Sequence, residues 1–204
     1  MTFDTSPPHY PAPMAPLDPV GSTLLKAASD LLAAEGAGAL TVRRIANAAG
    51  VSTMNVYSRF GGKDGVVEHL YVEGVTRLAD GMRAVAESDD PIADMMRCGL
   101  SYRQFAIDNP TLYSVMFDRV VPDFQPSLEA QSIAGSTLEL LADRIDRAMK
   151  AGVLRPADRI HTAALVWATC HGVVSLETNS VGPNVIDWPE VYGQALAMIV
   201  RGLA

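Results

Sequence analysis

The sequence predicts an all-α chain of about nine helices. Three observations predict it. Apolar residues recur at intervals of three and four in one segment after another. Those segments open on Ser, Thr, Asp or Pro and close on Gly or just before Pro, which are helix start and stop signals. Nowhere does an alternating apolar and polar run stand between turn residues, as a strand would require.

The elements follow in order. Residues 1–20 hold Pro7, Pro8, Pro11, Pro13, Pro16 and Pro19 and no Lys or Arg, so a disordered tail unable to form helix is expected there. Leu24, Leu25, Ala28, Leu31 and Leu32 then line one helical face, and Gly36 ends it. Thr41 is a good N-cap for a short helix bearing Val42, Ile45, Ala46 and Ala49. Gly50 supplies the turn, and Ser52 opens a helix with Val56, Tyr57 and Phe60 that closes on Gly61-Gly62. A longer helix begins at Lys63, with Val66, Val67, Leu70, Tyr71, Val75 and Leu78 as its stripe. Further helices are expected from Pro91 to about Asn109, from Thr111 to Phe117, and from Ser127 to Lys150. Pro156 is read as the start of a helix containing Trp167 and His171. Gly182-Pro183 breaks it, and Asp187 or Pro189 begins the last.

Composition narrows the class. Of 204 residues, 49% are hydrophobic and 19% charged, enough to bury a substantial core. No run approaches the roughly 18 apolar residues of a membrane span. Ala163 to Leu176 is the longest candidate, and with His171 inside it reads as a buried helix. The N-terminus lacks the basic and apolar pattern of a secretory signal, and two cysteines, Cys98 and Cys170, make no disulfide framework. A reduced, cytoplasmic protein is therefore expected. The formal charge of −7 is uneven: between Val20 and Gly65, five basic residues (Lys26, Arg43, Arg44, Arg59, Lys63) face three acidic ones, a local +2 that leaves −9 elsewhere. A basic head on an acidic body suits an anionic partner of the head.

Thr41–Ala49, the Gly50-Val51 turn and Ser52–Arg59 form a helix, tight turn and second short helix, the layout whose second helix enters the major groove. Residues 40–67, LTVRRIANAAGVSTMNVYSRFGGKDGVV, closely resemble the N-terminal region of the TetR family. The matching positions are Thr41, Ile45, Ala46, Ala49, Gly50, Val51, Ser52, Val56, Tyr57, Phe60, Lys63 and Asp64. The resemblance implies a regulator, most simply a repressor, that binds palindromic double-stranded operator DNA as a homodimer and leaves it when a small-molecule effector binds. It implies domains at 21–66 for DNA binding and 67–204 for ligand binding and dimerisation.

Residue roles follow from that resemblance and from side-chain chemistry. Thr41 and Ser52 put N–H and hydroxyl groups at helix N-termini, where phosphate oxygens are favoured. Tyr57 and Lys63 resemble the family's two phosphate anchors. Thr53, Met54 and Asn55 start the recognition helix: Asn55 is suited to adenine and Met54 to a thymine methyl. Arg43 is expected to reach a base or phosphate, and Arg44 and Arg59 to touch phosphates. The N-terminal extension departs from a common family feature, having no basic residues to enter a minor groove.

In the body, Asn109-Pro110 with Leu112-Tyr113 and Met116-Phe117, then Trp167 with His171-Gly172, resemble the family's C-terminal domain type named for Trp-His-Gly. Tyr102, Phe105, Tyr113, Met116, Phe117, Trp167 and His171 are candidate linings for a largely apolar effector pocket, although aromatic and Met residues at helical spacing more often form core. The last two helices, about 156–181 and 187–203, are expected to pair with their copies. No catalytic residue, cofactor or metal site is expected. His9, His69, His161 and His171 are scattered, and Cys170 and His171 point about 100° apart on a helix. Competing readings are an enzyme, a dimer of this fold whose head no longer reads DNA, and a redox sensor using Cys98 or Cys170.

Overall fold

Asp18 carries the first helix start, two residues before the expected tail ends. In the computed structural model, which describes residues 16–183 and 185–204, its carboxylate accepts from the Gly21 N–H at 2.7 Å and helix α1 runs Pro19–Glu35. Pro19 sits in the first turn, where its missing N–H costs nothing and its fixed φ suits a helix. Pro19 and Val20 are thus helical rather than tail, while residues 1–15 lie outside the described residues. A single 3₁₀ turn at Ala37–Ala39 leads to α2, Val42–Ala48, whose N-cap Thr41 accepts from Arg44 N–H at 3.3 Å. Helix α3 is Thr53–Phe60.

These three helices enclose Leu24, Ala28, Ile45, Ala46 and Val56, all with 1% exposure or less. Each large aliphatic buried this way contributes about 1.5–3 kcal/mol. The head is closed from below by α4, Lys63–Arg83, through Val66, Val67 and Leu70. The α3–α4 corner leaves no space at Gly65. A Cβ there would stand 1.7 Å from the Phe60 carbonyl oxygen, so only glycine lets the two helices meet.

The body continues as α5, Pro91–Asp108; α6, Pro110–Phe117; α7, Leu128–Lys150; α8, Arg159–Thr178; and α9, Trp188–Leu203. Helix α4 packs on α5, α6 and α7, α8 lies on α7, and α9 lies on α8. Among the described residues there are nine α-helices and no strand, as the sequence predicts. Two starts differ: α6 begins at Pro110, whose fixed φ suits a first turn, rather than at Thr111, and α8 begins at Arg159, not Pro156, because the Asp158 carboxylate caps His161 N–H at 2.8 Å.

Polar ties fix the body where α4 ends. Arg144, buried on α7, donates to the Met82 and Val85 carbonyls at 2.8 and 2.7 Å, partnering carbonyls at the C-terminal end of α4. Asp94 is 1% exposed and accepts from Ser88 N–H, Ser88 Oγ, Arg97 and Arg147. The Arg147 hydrogen bond, reinforced by Ser88, holds the Asp94 carboxyl well below the usual carboxylate range. Arg103 on α5 pairs with Glu177 on α8, Nε to Oε2 at 2.8 Å.

Candidate DNA-reading head and aromatic cluster

The turn between α2 and α3 rests on Gly50, with φ +68°, a conformation that suits glycine. It brings Val51 N–H to the Ala46 carbonyl at 2.9 Å and frees α3 to project. Thr53 and Met54 are exposed at its start, Met54 by 70%, and Tyr57 is 55% exposed one turn on. Large side chains left in solvent on a helix whose other face is buried contribute nothing to the head's core. They are available for a partner.

The expected basic contacts divide. Arg43 is exposed and forms no ion pair with any described residue. Arg44 pairs with Glu35 at 2.5 Å, across from α1. Lys63, first residue of α4, lies 3.6 Å from the neighbouring Asp64 carboxylate, an exposed pair easily exchanged for a phosphate. Arg59 is held most firmly. Its Nε and Nη2 reach Asp18 at 2.9 and 2.6 Å, and its Nη1 donates to Asn55 Oδ1 at 2.8 Å. The Arg59 hydrogen bond draws the Asp18 carboxyl down to about 2. Asn55 Nδ2 in turn donates to Ser52 Oγ at 3.1 Å. Ser52 occupies the N-cap position of α3 but its hydroxyl accepts from no backbone N–H of the first turn; it accepts from the Asn55 side chain instead.

Asp18 is not among the residues that sequence reasoning singles out. The signal for it is local: Asp followed by Pro is an N-cap followed by the first helical residue. Its pairing with Arg59, 41 positions away, has no local signal.

In the body, five of the seven pocket candidates meet. Tyr113 Oη lies 2.7 Å from His171 Nδ1 and 3.4 Å from Tyr102 Oη, and Tyr102 Oη lies 3.3 Å from His171 Nδ1. Phe117 packs beside them, its ring 4.9 Å from both the Tyr113 and His171 rings and 6.1 Å from Trp167. Burial pushes the Tyr102 phenol up to about 12 and draws His171 below its usual value. The cluster is therefore uncharged near neutral pH. Phe105 is buried in the same core, and Met116 presses on α4 instead, its Sδ 2.6 Å from where a Gly74 Cβ would stand.

The rings pack against one another. A cleft of about 750 Å³ lies elsewhere, between α1, α4 and the start of α6. Leu25, Lys26, His69, Glu73, Arg77 and Asn109 line it, and none of the seven candidates does. Cys98 and Cys170 are buried, and burial raises both thiols, Cys98 to about 11. Both are protonated and poorly reactive at neutral pH. No group of three metal-ligating side chains occurs among the described residues, and no helix is long and apolar enough to cross a membrane.

Comparison with known proteins agrees with this division. Residues 24–70 match the model of bacterial regulatory proteins of the tetR family, and residues 95–196 match a tetracyclin repressor-like C-terminal domain. The curated proteins contain no sequence match to the chain. Solved structures do share its fold. A protein of unknown function from Rhodococcus sp. RHA1 superposes with TM-score 0.80 at 23% identity, covering 92% of this chain and 97% of that one. The fatty acid degradation regulator FadR from Bacillus halodurans gives 0.77 at 18%, covering 91% and 97%. The TetR family regulator PfmR from Thermus thermophilus gives 0.69 at 20%, covering 89% and 98%. With the head and half of the chain's length beyond it both matched, the chain belongs to the TetR family of transcriptional regulators.

Proposed function

We propose that this protein is a repressor, not an enzyme, that binds palindromic operator DNA as a cytoplasmic homodimer and is released by a small, largely apolar effector. One observation carries the DNA reading: α3 presents Thr53, Met54 and Tyr57 to solvent beyond a helix-turn-helix corner, with Lys63 at the next helix start. Met54 would rest on a thymine methyl and Asn55 read adenine, while Thr41, Ser52, Tyr57 and Lys63 take phosphates. Arg43, unpaired among the described residues, is the cation best placed to add a base or phosphate contact.

A second copy is supported by α8. Leu165, Ala168, Gly172 and Leu176 recur at spacings of three and four and are exposed, and Met198 on α9 is 64% exposed. An apolar stripe with a glycine in it is unfavourable in water and suits close packing against its symmetry mate. Two heads about one DNA turn apart, roughly 34 Å, would then read both half-sites.

The effector would enter the aromatic cluster, exchanging the mutual bonds of Tyr102, Tyr113 and His171 for its own polar group and parting Phe117 from Trp167. Its binding and operator binding are then linked, each weakening the other by the same factor. The test is an anisotropy titration of the purified protein against DNA from upstream of its own reading frame, at two salt concentrations. Salt-sensitive, sequence-selective binding to a palindrome is expected. Equal affinity for scrambled DNA at every salt concentration would refute the reading.

A further inference from the structure

Resting on the DNA-binding reading, we infer that Asp18 is a specificity-determining positioning residue: it withholds the Arg59 charge from the DNA backbone and, through Arg59, fixes the Asn55 amide for base reading. The contact chain is continuous. Asp18 takes two guanidinium nitrogens of Arg59, the third donates to Asn55, and Asn55 donates to Ser52. All three nitrogens of Arg59 thus have acceptors within the head, and its charge is neutralised in place by a fork-to-carboxylate pair.

The consequence for Asn55 follows from donor and acceptor counting. A guanidinium only donates, so the amide atom facing Arg59 is oxygen and the atom facing Ser52 is nitrogen. One oxygen lone pair and one N–H remain unused. Those are the two elements that a bidentate contact with adenine needs, already oriented before DNA arrives. An Asn side chain free to rotate would meet each base edge in several orientations and discriminate less. Neutralising Arg59 also removes a contact that every DNA sequence would satisfy equally. Asp18 lowers general affinity and raises discrimination by the same pair of bonds.

Substitution of Asp18 separates this role from capping. Asn is as good an N-cap as Asp, so Asp18→Asn keeps α1 capped while deleting the charge. Asp18→Ser also caps but is too short to hold the guanidinium. Both full-length variants would be titrated by anisotropy against the palindrome bound by the wild type and against a scrambled duplex, from about 50 to 200 mM salt. Both should bind scrambled DNA more tightly than the wild type, with a salt slope steeper by about 0.9 per head. Over that fourfold salt range the gain shrinks by roughly twelvefold for a dimer, since the two heads together add about 1.8 to the exponent. The ratio of palindrome to scrambled affinity should fall by about fivefold, the low end of what one bidentate base contact is worth. Asp18→Asn combined with Arg59→Met should return the slope to the wild-type value.

Unchanged slopes and ratios in the single variants, with thermal unfolding unchanged, would overturn the proposal. So would weaker binding to both duplexes at constant slope, the signature of a purely structural cap. Absence of any salt-sensitive binding by the wild type would defeat the underlying DNA reading, and this inference with it.

Discussion

Replacing Gly65 by Ala tests whether the α3–α4 corner fixes the head. A Cβ at this position falls 1.7 Å from the Phe60 carbonyl oxygen and 2.8 Å from the carbonyl carbon. Ordinary carbon–oxygen contacts close at about 3.3 Å, so the two backbones must separate by roughly 1.6 Å. The obstacle is main chain, and no side chain can rotate away. Ordinary overpacking costs about 1–3 kcal/mol, and a backbone clash belongs at or above the top of that range. Replacing a helical glycine returns about 1 kcal/mol of propensity, leaving a loss of about 2–3 kcal/mol. In a chain of this size that lowers Tm by about 4–12 °C. Gly135→Ala is the matched control: the site lies inside α7 and has no atom within 4 Å of the new methyl. It should gain about 0.5–1 kcal/mol. Urea unfolding followed by helical circular dichroism, at one fixed protein concentration, reads both. A Gly65→Ala variant within about 1 kcal/mol of the wild type would refute the reasoning. If the corner instead opens without unfolding, α3 is displaced and affinity for the palindrome falls even where the head remains helical.

Tyr57→Ala should abolish binding to the palindrome while sedimentation still reports a dimer; retained affinity would remove Tyr57 from the interface. Lys63→Met should weaken binding to all duplexes and lower the salt slope by about one per head, and an unchanged slope would exclude that contact. Asp94, held below its unfolded pKa of about 3.9, contributes stability that is complete above that value and disappears as pH falls through its lower folded one. Asp94→Asn should therefore lower Tm at neutral pH and flatten the acid limb below about pH 4, and a parallel acid limb would show that another carboxylate governs it. Arg103→Met strands Glu177, which is 13% exposed, and should cost about 2–4 kcal/mol, read by urea unfolding.

Helix identity is legible wherever apolar spacing and a cap agree, as at Thr41, Asp187 and Ser127. The α8 start is not, because Pro156 and Asp158 are both start signals, and only the latter closes a hydrogen bond with the turn that forms. Counting prolines hides the end of the N-terminal segment, since Pro19 favours a first turn as strongly as it opposes a middle one. The head's residues are readable from their order because a helix-turn-helix is a local motif. The state of its arginines is not, because Arg59 meets Asp18 through the packing of α1 against α3. The same holds for the aromatic cluster. Spacing names residues able to meet, but not that their rings and polar groups bond to one another while an open cleft forms at α1, α4 and α6.

Helix α4 is one unbroken rod of 21 residues, about 30 Å long, held at one end by Arg144 and at the other by the glycine corner under α3. The rod is therefore tied to its surroundings at both ends. A tilt of about 6° at the Arg144 end carries the far end by roughly 3 Å, as much as a whole hydrogen-bond length. An effector that parts the rings, as proposed, would act on this rod through α5 and α6, which pack against it. Under the proposed function, such a tilt would carry the head out of register with a groove while the fold and core of the body stay intact.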